Sequence, residues 1–435
     1  MTDQNQPHAL PEKVLRRHAE LLADLLPEFT RVVLEEGQPA DAALNAYLRA
    51  HREFGSRDRR FLSQALFSYF RWYGWTINRL RLSPSEAAMV GTSLDADELP
   101  PSFRYIESRS DLPFTPDAMG SLDIAEKQDI LNEGYKDVLG AEPLTLGDLV
   151  LPEFETVIDP AAKDRCITAF QQRPPTWLRA RKDPAEIIHT LTEQGISSSR
   201  HTHLAEALSL EGGISLPNVL KEHNGQYVVQ DISSQCAGQV CAPGEGEEWW
   251  DCCAGAGGKA IHLMDLMKQT GKVLATDIRS SALKELKKRA RKHGIRHIRT
   301  QPFNAVNDEP FKKVFDGVLV DAPCSGWGTW GRNPDARWRA SRRDVMQNAG
   351  RQLKILDNAA WCVKPGGVLV YAVCSLTRPE TEEVVMNFLD HHASFKLEPF
   401  LHPLTGEQTG GQVQIWPWDA DCDGMFIARF RRMED

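Results

Sequence analysis

The sequence predicts an α/β chain: a mostly parallel sheet, preceded by a helical region and a small α+β region. Three observations predict it. From about residue 231, near-continuous apolar strands alternate with helical stretches. A glycine-rich turn, Gly255-Ala256-Gly257-Gly258, follows one of those strands directly. The first part, up to about residue 90, instead carries apolar residues at helical spacing.

Taken in order, helices are predicted over 14–26, 40–47 and 60–77, the last with Phe61, Ala65, Leu66, Tyr69 and Phe70 on one side. Arg49, Arg52, Arg57, Arg59, Arg60 and Arg71 interrupt these stripes, as a solvated face or as a guide for RNA phosphates. Residues 92–120 are rich in Pro, Ser, Asp and Gly and read as a loop. A helix over 123–139 and a short helical element over 152–163 lead to a boundary near 170, at Arg173-Pro174-Pro175. The small α+β domain, 170–230, is expected to hold a strand at 176–180, a helix at 184–194, and strands at 214–216 and 226–230. The third domain, 231–435, opens with a helix at 233–240. Its strands end at Asp251, Asp277, Thr300, Asp321 and Val373. Ser281 is the expected cap of the basic helix through His293, and a helix over 344–362 precedes Pro365-Gly366-Gly367. Glu380, Glu382 and Glu383 fall in the first turn of a helix opened by Pro379, where they complement its dipole. Short strands at 395–397 and 425–428 close the chain.

The 435 residues are 41% hydrophobic and 26% charged, enough for several cores. No run of eighteen apolar residues marks a membrane span, and the polar start, residues 1–6, lacks a signal-peptide core. A cytoplasmic protein that does not engage membranes is expected. A net charge of −9 argues against a uniformly basic surface but leaves room for a local nucleic-acid footprint. The nine cysteines show neither a CxxC pair nor zinc-site spacing, so free thiols and no metal are expected.

Ligands of such sheets bind beyond the carboxyl ends of the strands. Asp277, after the second strand, is placed to accept hydrogen bonds from a ribose. The turn matches neither GxGxxG nor a P-loop, which weakens pyrophosphate-binding readings. A cofactor with an amino-acid tail, S-adenosylmethionine, suits it better. Asp251 offers an acid for the tail's ammonium. The backbone of Cys253, Ala254, Gly255, Ala256, Gly257 and Gly258, with Lys259, offers donors for its carboxylate. Two cysteines, Cys324 and Cys374, lie just beyond adjacent strands and open onto the same crevice. A thiolate that adds to carbon 6 of a cytosine makes carbon 5 nucleophilic, and an acid near ring N3 stabilises the adduct. Asp321 is placed as that acid, and the second cysteine assists release. The spacing does not say which cysteine attacks.

The run Asp321-Ala322-Pro323-Cys324-Ser325-Gly326-Trp327-Gly328, with Arg332-Asn333-Pro334-Asp335, resembles the signature of the Sun/Fmu-type (RsmB-like) RNA cytosine-5 methyltransferases. The segments 251–259, 230–235, 175–179, 371–375 with Pro379 and Glu380, and 423–426 resemble further motifs of that family. Residues around Gly55-Ser56-Arg57-Asp58 resemble its NusB-like amino-terminal domain. The resemblance implies a class I (Rossmann-like) methyltransferase sheet and S-adenosylmethionine as cofactor. It implies Cys374 as nucleophile, Cys324 in product release, Asp321 against the target base, Asp277 at the cofactor ribose and Lys259 at the active-site end. Ala256 stands where the family usually has proline, Val373 where it has threonine, and Thr381-Glu382 where it has glutamate-asparagine. Asn304 takes the place of the usual adenine-side aspartate.

Lys284, Lys287, Lys288, Arg289, Arg291, Lys292, Arg296 and Arg299 form one basic cluster; Arg332, Arg337, Arg339, Arg342 and Arg343 form another. Arg179, Arg332 and Arg337 are the expected RNA contacts, and Trp327 and Trp330 either stack on a base or pack their loop. The expected partner is 16S ribosomal RNA or an assembling small ribosomal subunit, engaged by a monomer. A transfer RNA methyltransferase, a non-catalytic RNA-binding assembly factor and a NAD-dependent oxidoreductase are the rival readings.

Overall fold

Amphipathic sequence in the first third folds as helices α1 (Glu12–Leu34), α2 (Ala40–Ala50), α3 (Ser56–Arg71), α4 (Pro84–Asp95), α5 (Pro101–Glu107), α6 (Ile124–Gly134), α7 (Lys136–Leu139) and α8 (Lys163–Phe170). This is the computed structural model, which describes residues 10–114, 117–210, 214–312 and 314–434. The polar start read above, residues 1–6, lies outside the described residues. Among the described residues no helix is long and apolar enough to cross a membrane.

The chain divides into two compact units. One takes the residues up to Thr156, Pro160–Arg173 and the distant segment Trp330–Ala340; the other takes Val157–Asp159, Pro174–Thr329 and Ser341 onward. In the helical unit, Leu22, Leu26, Val33, Phe61, Leu66, Phe70 and Trp75 are buried. Trp330 packs edge-on against Phe170, with ring centroids 5.3 Å apart, and tilts on Phe154 at 5.6 Å. Residues 101–107, read as loop from their composition, form α5. Pro101 is its first residue, where a missing N–H costs nothing.

The second unit carries two sheets. The smaller has the order β2-β3-β1-β4, from β1 (Thr176–Ala180), β2 (Ser198–Arg200), β3 (Ala207–Leu210) and β4 (Tyr227–Val229), all antiparallel, with α9 (Pro184–Glu193) beside them. Residues 214–216 are not a strand: with Pro217 at its opening, a single turn, α10 (Leu216–Val219), forms instead. The larger sheet has the order β10-β12-β9-β8-β5-β6-β7, with β11 on β12. Its parallel strands are β5 (Glu248–Asp251), β6 (Lys272–Asp277), β7 (Ile298–Pro302), β8 (Phe315–Asp321) and β9 (Val363–Val373). β10 (Phe395–Leu397), β11 (Gln412–Ile415) and β12 (Met425–Arg432) add antiparallel pairing at one side.

Two apolar clusters, one around Trp249, Ile261 and Val370 and one around Trp250, Val318 and Leu369, bury the parallel strands. Helices α11 (Ile232–Cys241), α12 (Gly258–Leu266), α13 (Ser280–Lys292), α14 (Arg342–Ala360) and α15 (Glu382–His391) complete the unit. This is the class I methyltransferase sheet expected from the sequence. Ser281 does not cap α13; it lies inside a helix whose flanking residue, Arg279, gives its amide to Asp277 at 2.8 Å. Gly317 sits at a register shift between β8 and β9, where any Cβ would meet the Trp249 ring at 2.2 Å.

Candidate active site

Parallel register brings the carboxyl ends of β5, β6, β8 and β9 to one edge. Asp251 pairs with Ala275 and Leu319, Asp277 with Pro302, and Asp321 with Ala372. The polar residues singled out from the sequence are therefore neighbours because of the topology.

The turn after β5 is held from several sides. Ala254 N–H donates to Thr276 O at 2.8 Å, and Gly257 N–H to Ala254 O at 2.8 Å. Arg289 of α13 donates to Ala256 O at 2.9 Å, a tie that stands in for the ring constraint of a proline. Gly257 has φ +82° and a Cβ there would meet Leu286 at 2.4 Å, so both conformation and packing require glycine. Gly258 has open space where a side chain would go, which leaves the helix start approachable. Cys253 is half-buried beside the turn.

Asp251 tests whether this edge fits S-adenosylmethionine. It is fully buried, and no side chain hydrogen-bonds to its carboxylate; only the Cys253 backbone N–H approaches it. Burial, with the charge of Asp321 beside it, pushes its pKa up to about 8; Lys259 offsets only part of this. A buried acid with no side-chain hydrogen-bond partner is costly unless a ligand supplies one, and the ammonium of an amino-acid tail does so. The residues present therefore fit the cofactor.

Asp277 is 5% exposed and already engaged: Gly255 N–H donates to it at 2.9 Å, and the Arg279 guanidinium at 3.0 Å to each oxygen. Burial works against its charge, but the Arg279 and Gly255 bonds hold its pKa below the usual carboxylate value. The Arg279 side chain is 66% exposed, so it can yield to a ribose at modest cost. Asn304 follows β7 and is half-buried. Its Oδ1 accepts the Val306 N–H at 3.1 Å, so part of its hydrogen-bonding capacity is spent on its own turn.

At the β8 and β9 ends, Lys259 Nζ donates to Asp321 Oδ2 at 2.8 Å. Burial disfavours the Lys259 charge, but Asp321, then Cys374 and Asp251, hold its pKa above the ordinary lysine value. Cys324 Sγ and Cys374 Sγ are 3.2 Å apart, in contact and not bonded. The hydrogen bond with Cys374, together with burial, pushes the Cys324 thiol well up. The pair is thus two sulfurs in contact at the sheet edge beside the Lys259 ammonium, an arrangement suited to thiol chemistry.

Two of the three expected RNA contacts, Arg179 and Arg337, are corrected. Arg179 is 2% exposed and donates to Gln230 at 3.0 Å and to Asp265 of α12 at 2.8 Å; it ties β1 to the methyltransferase core. Arg337 is 0% exposed, bonded to Leu149 O, Gln171 Oε1 and Phe170 O within the helical unit. Arg71 is likewise buried, on Asp95, Phe170 O and Gly331 O. Charges so enclosed cannot meet phosphates. Trp327 and Trp330 are also buried, Trp330 against Phe154 and Phe170. Arg332 is half-buried in the Trp330–Ala340 segment. Lys284, Lys287, Lys288, Arg291, Lys292, Arg296 and Arg299 remain exposed on and after α13. Glu380, read as a helix-dipole partner, turns out to be buried. Its flanking Pro379 and Thr381 gave no periodicity that would have revealed this.

Comparison with known proteins agrees. The family model described as 16S rRNA methyltransferase RsmB/F matches residues 238–431. The chain is 31% identical over 320 residues to a protein of Synechocystis sp. described as a probable ribosomal RNA small subunit methyltransferase B, covering 69% of this chain and 71% of that one. A Bacillus subtilis protein of the same description is 33% identical over 257 residues, covering 58% of this chain and 57% of its own. The crystal structure of PH0851 shares the fold, with a TM-score of 0.71 and 23% identity over 98% of this chain and 100% of that one. A parallel sheet with this glycine turn and a thiol pair at its edge defines a class, the S-adenosylmethionine-dependent RNA cytosine-5 methyltransferases. Within that class, the chain belongs to the RsmB/F family.

Proposed function

We propose that the protein methylates carbon 5 of a cytosine in 16S ribosomal RNA, free or in an assembling small subunit, through a covalent adduct on Cys374. The observation that carries this reading is the 3.2 Å contact between Cys324 and Cys374 beside the Lys259–Asp321 pair. S-adenosylmethionine supplies an electrophilic methyl group when bound. Asp251 would take its ammonium, the backbone of the turn its carboxylate and Asp277 its ribose.

The Cys374 thiolate adds to carbon 6 of the flipped-out cytosine, ring N3 takes up a proton from water, and the Asp321 carboxylate accepts the N3–H hydrogen bond. Lys259 keeps Asp321 in place and stabilises negative charge on the Cys374 sulfur. After methylation of carbon 5, a base takes the carbon-5 proton and the carbon–sulfur bond breaks. Cys324 supports the departing sulfur through its thiol. The exposed basic face of α13 is the surface that would follow RNA phosphates. A cytoplasmic monomer is part of this reading, with the helical domain (1–165) and the small α+β domain (170–230) guiding RNA to the methyltransferase domain (231–435).

Paired cysteine substitutions test the assignment. Cys374→Ala should abolish both methyl transfer and any covalent RNA adduct. Cys324→Ala should still attack but fail to release, so an RNA–protein adduct accumulates on a denaturing gel. Full turnover by Cys374→Ala contradicts the assignment.

A further inference from the structure

Glu380 is 0% exposed, and none of the steps above uses it. Its Oε1 accepts the Ser325 N–H at 2.8 Å and Gln352 Nε2 at 3.0 Å. Its Oε2 accepts the hydroxyls of Ser325, of Ser375 at 2.7 Å and of Thr377 at 2.9 Å. Its backbone oxygen accepts the Tyr371 hydroxyl at 2.6 Å, which also reaches Gln352 Oε1 at 3.0 Å. Gln352 in turn donates to Pro323 O at 3.0 Å.

These partners are not scattered. Pro323 and Ser325 flank Cys324, and Ser375 follows Cys374. Both thiol-bearing loops therefore converge on one carboxylate. Beyond it, the loops are joined by backbone bonds from Ala322 N–H to Ala372 O and from Gly328 N–H to Cys374 O. A carboxylate sunk this deep is expensive unless its oxygens are satisfied, and five donors satisfy this one. A helix-dipole role would need none of that burial.

We infer that Glu380 is a positioning residue that holds the Cys324 and Cys374 sulfurs in contact and so sets the release step. The inference rests on the proposed adduct chemistry for its functional meaning, but the geometry it asserts can be measured without RNA. Placement errors near 1 Å at such a pair cost about a hundredfold in rate.

The test treats the full chain with diamide, an azodicarbonyl oxidant. Diamide takes two electrons and two protons from a thiol pair, leaving a disulfide and a hydrazine. Formation of the Cys324–Cys374 disulfide is followed by peptide mass mapping. The native protein should cross-link this pair readily. Glu380→Gln sets an amide against three hydroxyls, and the rate should fall about tenfold as the sulfurs separate. S-adenosylmethionine affinity, a readout of intact fold, should not change. The milder Ser325→Ala/Ser375→Ala double variant should fall between the two. With RNA, Glu380→Gln should accumulate adduct as Cys324→Ala does. Unchanged cross-linking in a Glu380→Gln protein that still binds cofactor overturns the inference. So does failure of the native pair to cross-link. If Glu380→Gln does not fold, an unchanged rate in the double serine variant overturns it. Loss of cross-linking in the variants of a native protein that methylates no RNA keeps the clamp and removes the proposed function.

Discussion

Asp251 shows how much a single side chain can carry. Its position, an acid at the end of a strand before a glycine turn, is legible in the sequence. Its isolation is not, because isolation depends on what every neighbouring segment leaves unpaired. With the pKa at about 8 in the folded protein and 3.8 as the ordinary value, the folded chain retains a proton that the unfolded chain releases across that window. The sign follows: Asp251 costs no stability below about pH 4, and the free protein loses stability as pH rises toward 8. Asp251→Asn should therefore raise the melting temperature at pH 8 and flatten its pH dependence. The same variant should lose cofactor affinity. In the native protein, S-adenosylmethionine binding should strengthen as pH rises from 6 to 8, by up to about tenfold per unit while the acid is mostly protonated. Calorimetric titration at several pH values measures this, and a flat profile contradicts the pairing of Asp251 with the cofactor's ammonium. Arg179, Arg337 and Glu380 illustrate the limit of reading residues one at a time. Their charge type is plain in the sequence, while their burial is decided by partners far along the chain, at Asp265, Leu149 and Ser325.

Among the elements, the buried parallel strands were legible and the marginal ones were not. β5, β6, β8 and β9 bury both faces, so apolar runs ending in Asp or Cys mark them directly. β2 (Ser198–Arg200) and β11 (Gln412–Ile415) are short and polar, each paired along one side, and carry no comparable signal. Prolines misled in both directions: Pro101 opens α5 inside an apparent loop, and Pro217 belongs to a helical turn inside an apparent strand. The junction of β1 with α12 makes a prediction at this scale. Asp265 accepts from Arg179 at 2.8 Å and from Arg181 at 2.9 and 2.7 Å. Asp265→Ala leaves two guanidinium groups with no counter-charge there, and should cost about 3 kcal/mol. Urea unfolding should show a lower midpoint with the same slope; a change within error would mean that the ties are redundant.

For the molecule as a whole, chain order and spatial order part company. Reading 231–435 as one methyltransferase domain takes in Trp330–Ala340, yet that segment belongs with the helices. Arg337 of that segment satisfies the carbonyls of Leu149 and Phe170, and Trp338 Nε1 donates to Phe70 O at 2.6 Å. Arg337→Ala should thus destabilise the helical unit by about 2–3 kcal/mol, visible as a lowered melting transition, although the residue neighbours the catalytic loop in sequence. Only a fold that returns a loop across the chain explains such a buried arginine, and no local pattern announces it. The central claim is that this fold methylates ribosomal RNA at carbon 5 of cytosine, and one measurement tests it most directly. Purified protein is given labelled S-adenosylmethionine with unmodified 16S ribosomal RNA, with bulk transfer RNA run in parallel, and the modified nucleotide is mapped. Label on a 5-methylcytosine of the 16S RNA, absent with Cys374→Ala, is the predicted result. Label confined to transfer RNA, or no label on either RNA or on assembling small subunits despite cofactor binding, would contradict it.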